Sequence, residues 1–141
     1  NDYPINLLDW LIVNEVEGAG ILGGEADESL LQGLAERYPK AGILLTLGSR
    51  GAQCVQNGHF ASIGICKVQA VDTTAAGDTF SGYFLSGVLE GLSLAETLRL
   101  ATAASALCVQ RPGAADSIPT RAEVQQVMRE GSLQVPEVLE W

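Results

Sequence analysis

The sequence predicts an α/β fold with a mainly parallel sheet flanked by helices. Two short apolar runs, residues 11–13 and 42–47, are typical of buried strands. Segments with apolar residues at helical spacing follow along the chain, and strands that alternate with helices favour a layered α/β structure. In such structures ligands bind beyond the carboxyl ends of the strands. The residues that follow the predicted strands are therefore the first candidates for function.

The amino-terminal part of the chain predicts one strand and two helices. The strand at residues 11–13 leads into a helix that begins near Glu15. This helix is expected to be short, because the glycines within residues 18–24 weaken it. Asp27 is the predicted N-cap of a second helix, which ends at Pro39.

A hairpin is predicted after the second strand. Residues 52–56 and 59–63 flank the dipeptide Asn57-Gly58, which is typical of a tight turn with positive φ at both central residues. A further strand is predicted over residues 66–71.

The carboxyl-terminal part predicts helices with strong start signals. Ser93 and Thr120 are each followed three residues later by glutamate, which predicts capping boxes. The helix over residues 94–109 is apolar nearly all round, so it is expected to be deeply buried. With no linker in the sequence, residues 1–131 are expected to form one domain and residues 132–141 a loose tail.

Composition narrows the function classes. The chain has 141 residues, 47% of them apolar and 18% charged, and a net charge of -9. This acidity argues against a nucleic-acid partner, which requires a basic surface. No apolar run is long enough to span a bilayer, so no membrane partner is expected. The first residues do not resemble a signal peptide, and the missing initiator Met leads us to expect a longer protein.

The cysteines indicate a reducing compartment. Cys54, Cys66 and Cys108 form no paired motif and sit in apolar surroundings, as free buried thiols do. A cytoplasmic location is therefore expected. His59 is the only histidine, which argues against a zinc site.

The strongest chemical signal is the string Asp72-Thr-Thr-Ala-Ala-Gly-Asp-Thr-Phe80. Ala75, Ala76 and Gly77 are small, so backbone N–H groups at the start of a helix can approach an anion closely. Asp78 then falls in the first helical turn, where a carboxylate can accept a proton from an attacking hydroxyl. Similar residues also occur at ordinary helix starts, so composition alone leaves both interpretations open.

The whole string resembles the second signature of the ribokinase family of carbohydrate kinases. The resemblance implies that Asp78 is the catalytic base and that Ala75, Ala76 and Gly77 form an anion hole. Tyr83 departs from the family's pattern, which usually has Ala or Gly there. The resemblance covers the carboxyl-terminal half of the family only.

Three further segments match this family. Asn14-Glu-Val-Glu17 resembles its Asn-x-x-Glu motif, which implies that Asn14 and Glu17 support Mg²⁺ through water and that Asn14 lies near the nucleotide. An asparagine after a strand is also a common helix cap. Thr102 falls at the position that contacts the nucleotide in this family. The alanines of the same helix are typical of packing between helices. The nucleotide loop corresponds to Thr46, Leu47, Gly48, Ser49, Arg50 and Gly51.

The resemblance also implies a K⁺ site formed mainly by backbone carbonyls. The matching positions are Asp72, Thr74, Cys108, Arg111, Gly113 and Ser117.

Together these matches imply ATP-dependent phosphorylation of a primary hydroxyl of a pentose, and the expected substrate is D-ribose, which gives ribose 5-phosphate. The cofactors implied are ATP, Mg²⁺ and K⁺, and the full-length protein is expected to be a homodimer. The Ala-Ala-Gly-Asp version of the signature and the apparent cation site favour ribose over fructose or ketodeoxygluconate as the substrate, and deoxyribose is a further alternative. The alternatives are another sugar kinase of the family or a non-catalytic nucleotide-binding fragment. An isolated half is expected to expose an apolar sheet edge and to lack activity by itself.

Overall fold

A computed structural model describes residues 10–24, 29–73, 75–111 and 118–141. The described residues form two compact units. The first runs to Ser62 and includes Leu139–Trp141, and the second runs from Ile63 to Val138. This division differs from the predicted single domain followed by a tail.

The first unit contains most of the strands. Its elements are β1 (Trp10–Asn14), α1 (Glu15–Leu22), α2 (Leu30–Arg37), β2 (Gly42–Thr46), a short 3-10 turn (Gly48–Arg50), β3 (Ala52–Gln56), β4 (His59–Ile63) and β5 (Leu139–Glu140). The strands form one sheet in the order β1-β2-β3-β4-β5. Asp27, the predicted cap of α2, lies outside the described residues.

Parallel pairing in the described sheet is confined to β1 and β2. These strands are in register from Trp10 opposite Gly42 to Asn14 opposite Thr46. The pairs β2–β3 and β4–β5 are antiparallel. The short connection between β2 and β3 explains this difference from a mainly parallel sheet, because a parallel neighbour needs a much longer crossover.

The core of the first unit lies between α2 and the sheet. Its buried residues come from both, and they are Val13, Leu30, Leu31, Leu34, Ile43, Leu45 and Val55. Burial of the two apolar strands against the apolar face of α2 stabilises the sheet. The carboxyl ends of β1 and β2 are thereby fixed side by side.

The hairpin prediction is confirmed. Asn57 and Gly58 connect β3 to β4 with φ of 53° and 77°. Both angles are positive, as the predicted turn requires, and asparagine and glycine are the residues that adopt them most readily.

The strand predicted over residues 66–71 is absent from the described structure, where residues 64–70 have no regular form. An apolar run becomes a strand only if a neighbouring strand accepts and donates hydrogen bonds. Here the N–H groups of Val71 and Asp72 donate instead to the carbonyl of Val109, at 2.6 and 3.0 Å. Val109, at the end of a helix, thereby holds residues 71–72 in place.

The prediction of a loose tail is wrong for the last residues of the chain. β5 pairs with β4, and the Trp141 ring stacks on Phe60 with 5.6 Å between centroids. The His59 ring nitrogen lies 2.8 Å from the carboxylate of Glu140. A two-residue strand carries no detectable periodicity, so β5 could not be predicted from the sequence pattern.

The second unit is helical. Its helices are α3 (Ala76–Leu89), α4 (Leu94–Val109) and α5 (Arg121–Glu130). The capping boxes at Ser93 and Thr120 are both formed, and α4 has the predicted bounds and is largely buried. The core residues shared by α4 and α5 are Leu100, Ala103, Ala104 and Val124. Among the described helices, none is both long and apolar enough to cross a membrane.

The departure at Tyr83 has a structural role. Its hydroxyl donates a hydrogen bond to the carbonyl of Pro119 at 2.6 Å. The ring also packs against the α4–α5 core. Tyr83 thus connects α3 to the segment that leads into α5.

Candidate functional site

Asn14 ends β1 and caps α1. Its side-chain oxygen accepts a hydrogen bond from the Glu17 N–H at 2.8 Å, and the Glu17 carboxylate accepts one from the Asn14 N–H at 3.0 Å. The Asn-x-x-Glu motif is therefore a capping box. Both residues remain exposed, and a carboxylate with one donor retains further acceptor sites. Capping and an external ligand role are thus compatible.

The segment after β2 is a tight loop built on two glycines. Gly48 has φ of 59° and Gly51 has φ of 95°, conformations that side chains disfavour. Hydrogen bonds from Leu47 N–H to Gly51 and from Gly51 N–H to Gly48 close the loop at 2.8 and 3.1 Å. Ser49 and Arg50 are exposed on it. The loop is therefore fixed in shape and open to solvent.

These two segments lie next to each other in the first unit. Asn14 and Thr46 are register partners at the ends of β1 and β2. The Thr46 hydroxyl lies 3.5 Å from the carbonyl of Val13, to which it donates. The Arg50 guanidinium forms an ion pair with Glu15, the first residue of α1. The expected nucleotide loop and the Asn-x-x-Glu motif therefore form one surface.

In the second unit, the Ala-Ala-Gly-Asp turn begins α3. Ala75 occupies the N-cap position without a side-chain hydrogen bond to the helix, and Asp78 lies in the first turn. Helices α1, α4 and α5 are all capped by a side-chain oxygen. Among the described residues the start of α3, like that of α2, has no side-chain cap, and its N–H groups carry the positive end of the helix dipole. Gly77 and Asp78 are exposed there.

Helix α4 holds this turn in place. Ser105 Oγ donates to the Ala76 carbonyl at 3.4 Å, and the buried Thr79 hydroxyl donates to Cys108 Sγ at 3.4 Å. The carbonyl of Val109 accepts the N–H groups that precede the turn. Ser105 and Thr79 were not candidates in the sequence, because each bond joins residues that are far apart along the chain.

Three of the six expected K⁺ positions can be located. Asp72 and Cys108 come together where the end of α4 meets residues 71–72, and the carbonyl of Cys108 accepts the Arg111 N–H at 3.1 Å. The other three, Thr74, Gly113 and Ser117, lie outside the described residues. The cation site is therefore still a prediction.

The Arg111 side chain points its charge at α5. It forms an ion pair with Glu123, whose carboxylate also accepts the Thr120 N–H at 2.9 Å. The Arg111 hydrogen bonds lower the pKa of Glu123 to about 2. This ion pair connects the chain just after α4 to the first turn of α5.

Thr102 is buried, with 4% of its surface exposed, and its hydroxyl has no hydrogen-bond partner among the described residues. It lies among the alanines of α4, as packing residues do. A nucleotide contact for Thr102 is still a prediction.

The described residues contain no cluster of three or more His, Cys, Asp or Glu side chains suited to a metal ion. Mg²⁺ does not require one, since it keeps several waters and takes one or two carboxylates with substrate phosphates. The exposed Glu17 carboxylate fits that role. The sequence-predicted residues therefore fall into two sets, one on each unit.

Comparison with known proteins identifies the relatives of this chain. The family model described as pfkB family carbohydrate kinase matches residues 3–121. A ribokinase of Schizosaccharomyces pombe is 41% identical over 129 residues, covering 85% of this chain and 40% of that protein. A ribokinase of Haemophilus influenzae is 40% identical over 133 residues, covering 91% and 43%. The chain thus spans less than half the length of these curated relatives.

Other kinases of the family are also similar. A 2-dehydro-3-deoxygluconokinase of Bacillus subtilis is 34% identical over 122 residues, covering 84% of this chain and 36% of that protein. Among solved structures, Arabidopsis thaliana ribokinase complexed with ribose and ATP is 36% identical with a TM-score of 0.78. The match covers 89% of this chain and 43% of that one. The α/β fold of this chain is therefore ribokinase-like, as expected.

Proposed function

The chain belongs to the pfkB family of carbohydrate kinases, and from this premise we propose that it carries the nucleotide-binding and catalytic part of an ATP-dependent kinase for D-ribose. The observation that supports this most directly is the start of α3. There an exposed carboxylate, Asp78, follows a helix start that has no side-chain cap. A base next to an anion pocket is the minimum that phosphoryl transfer to a hydroxyl requires.

Asp78 is the proposed general base. Its carboxylate accepts the proton of the primary hydroxyl of the sugar as that oxygen attacks the γ-phosphorus of ATP. The bond from the γ-phosphorus to the bridging oxygen breaks, and ADP leaves. Its position in the first turn also suits a negative group, because the helix dipole is positive there.

Ala75, Ala76 and Gly77 provide the proposed anion hole. Negative charge spreads over the oxygens of the transferred group, and preorganised N–H donors stabilise it. The hydrogen bonds from Ser105 of α4 to the Ala76 carbonyl and from Thr79 to Cys108 of α4 support this role, because a fixed turn needs no reorganisation during the reaction.

The first unit is the proposed nucleotide side. Gly48, Ser49 and Gly51 bring the loop backbone close to phosphate oxygens, and Arg50 and Thr46 offer side-chain donors. Thr102, which lies on α4 of the second unit, is proposed separately as a nucleotide contact. Asn14 and Glu17 would help to hold Mg²⁺ through water, and the ion would supply positive charge that offsets the charge of the phosphates.

A K⁺ ion is proposed beside the turn, at Asp72, Cys108 and Arg111 with Thr74, Gly113 and Ser117. Its role would be to fix the backbone of the anion hole. Activity that is unchanged when K⁺ is replaced by an inert organic cation would remove this part of the proposal.

The test is a coupled ADP-release assay on the protein from its natural source, with ribose, deoxyribose, fructose and ketodeoxygluconate compared. Ribose is expected to give the highest kcat/KM, which the names of the two similar ribokinases support. A preference for ketodeoxygluconate would favour the second candidate, a kinase like the similar Bacillus subtilis protein. Absence of any sugar-dependent ADP release would favour a non-catalytic nucleotide-binding protein.

A further inference from the structure

The ion pair between Glu15 and Arg50 links the Asn-x-x-Glu motif to the expected nucleotide loop, two segments that are separate along the sequence. Glu15 Oε2 accepts the hydrogen bond of Arg50 Nη2, and the partners are 35 residues apart in the chain. The Glu15 side chain is 30% exposed and that of Arg50 is 65% exposed. An exposed pair of this kind adds little to stability, so its presence in the expected nucleotide loop suggests another use.

Both partners are attached to fixed backbone. Glu15 is the first residue of α1, directly after the capping residue Asn14, and Asn14 is held in register with Thr46. Arg50 ends the 3-10 turn, where its N–H donates to the Leu47 carbonyl at 3.1 Å. The carboxylate therefore restrains the guanidinium from a fixed point.

The pair leaves most of the guanidinium available. A guanidinium has five N–H donors, and Glu15 accepts from Nη2 alone. Nε and Nη1 can still donate to a phosphate. A long, flexible arginine loses rotamer freedom when it binds a ligand, at a cost of about 0.5–1.5 kcal/mol, and a partner that holds it beforehand removes part of that cost.

We infer that Glu15 is a positioning residue for the nucleotide, which holds Arg50 of the glycine loop in place to bind a phosphate group. This inference rests on the proposed function, because it assigns Arg50 to a nucleotide phosphate. Glu15 lies inside the Asn-x-x-Glu motif but is neither its Asn nor its Glu.

The test measures the dissociation constants of ADP and adenosine by calorimetry on the whole chain. Glu15→Gln keeps the size of the side chain and removes its charge. We expect it to weaken ADP binding about threefold to tenfold, the fold-change that corresponds to the ordering cost above, and to leave adenosine binding unchanged. The matched control is Glu90→Gln, which breaks another exposed pair, with Arg121 in the second unit.

Two further variants separate positioning from general structure. In an Arg50→Gln background, Glu15→Gln is expected to have no additional effect on ADP affinity. The exchange of charges in Glu15→Arg/Arg50→Glu restores an ion pair but places a carboxylate in the loop, so ADP binding is expected to stay weak.

Four outcomes would overturn the inference. The first is an ADP affinity in Glu15→Gln equal to that of the Glu90→Gln control, and the second is a loss of adenosine affinity equal to the loss of ADP affinity. The third is an effect of Glu15→Gln on ADP affinity that persists in the Arg50→Gln background. The fourth is full recovery of ADP affinity in Glu15→Arg/Arg50→Glu. Each of these leaves the proposed function intact if the unmodified chain binds ADP. An unmodified chain that binds neither ligand would overturn both proposals.

Discussion

Asp78 is the residue on which the proposed chemistry depends, and its setting allows a clean test. Asp78 is exposed in the first turn of α3 and asparagine has nearly the same shape, so Asp78→Asn is expected to leave the fold intact. The assay uses Haemophilus influenzae ribokinase in which this chain replaces the matching part. Ribose-dependent ADP release is expected to fall by about 10²–10⁴, the usual contribution of a positioned base.

The same variant is expected to bind ADP as well as the unmodified chain, because the proposed phosphate contacts do not include this carboxylate. Near-normal turnover in Asp78→Asn would remove the residue from its role. Loss of both turnover and ADP binding would show that the change had altered the fold.

The buried cysteines give a second prediction for single residues. Cys54 is fully buried in β3, and burial raises its pKa to about 12. Since the thiolate is the reactive form, Cys54 is expected to stay unmodified by a disulfide reagent at pH 8 in the native chain. Mass spectrometry after tryptic digestion measures this, and denaturant is the control. Rapid labelling of native Cys54 would contradict the buried position of β3.

Side-chain contacts between distant residues were the part of the site that the sequence did not reveal. Asp78, the glycine loop and the Asn-x-x-Glu motif could be proposed from the sequence because each is a local pattern. Glu15 with Arg50, and Ser105 with Ala76, are pairs that only the folded chain brings together. No local signal marks such partners.

At the scale of elements, the α3–α4 contact depends on a glycine. A Cβ at Gly87 would lie 2.9 Å from the Thr97 side chain, which is itself fully buried. Gly87→Ala is therefore expected to lower the free energy of unfolding by about 1–3 kcal/mol, the usual cost of overpacking. Urea unfolding followed by circular dichroism provides the measurement.

Gly82 of the same helix is the matched control. A Cβ there would meet nothing within 4 Å, so Gly82→Ala is expected to raise the stability by about 0.5–1 kcal/mol through helix propensity alone. If both variants changed stability in the same direction, close packing at Gly87 would not be the cause.

Elements with local determinants were predicted well. The capping boxes at Ser93 and Thr120 and the Asn57-Gly58 hairpin all formed as expected. Elements that depend on a distant partner were not predicted. The run at residues 66–71 finds a helix end in place of a strand, and β5 exists only because β4 offers an edge.

At the scale of the whole molecule, acid is expected to weaken the structure through Glu123. Its pKa falls from 4.5 to about 2 because Arg111 binds the ionised form. A carboxyl group whose pKa is lowered by folding stabilises the protein above about pH 4.5 and loses that contribution as the pH falls toward 2. The melting temperature is therefore expected to drop over this range.

Glu123→Gln is the matched variant for this prediction. It keeps the shape of the side chain but cannot titrate, so its melting temperature is expected to depend less on pH between 5 and 2. An identical pH dependence in both proteins would show that other carboxyl groups determine the acid behaviour.

The α/β class was also predicted at this scale, whereas the division into two units was not. Periodicity and composition report which segments bury apolar surface, but not which segments contact one another. The sequence has no linker, and the return of the last residues to the first sheet depends on contacts such as Phe60 with Trp141.

That return has a consequence for how the protein is made. β4 emerges from the ribosome early, whereas β5 follows only after the whole second unit has been translated. Synthesis adds about 5–20 residues per second, so the edge of β4 waits several seconds for its partner. During that interval the helices of the second unit can already fold, and an exposed strand edge is a site of wrong pairing. The order of translation therefore makes β4 the segment most in need of a chaperone.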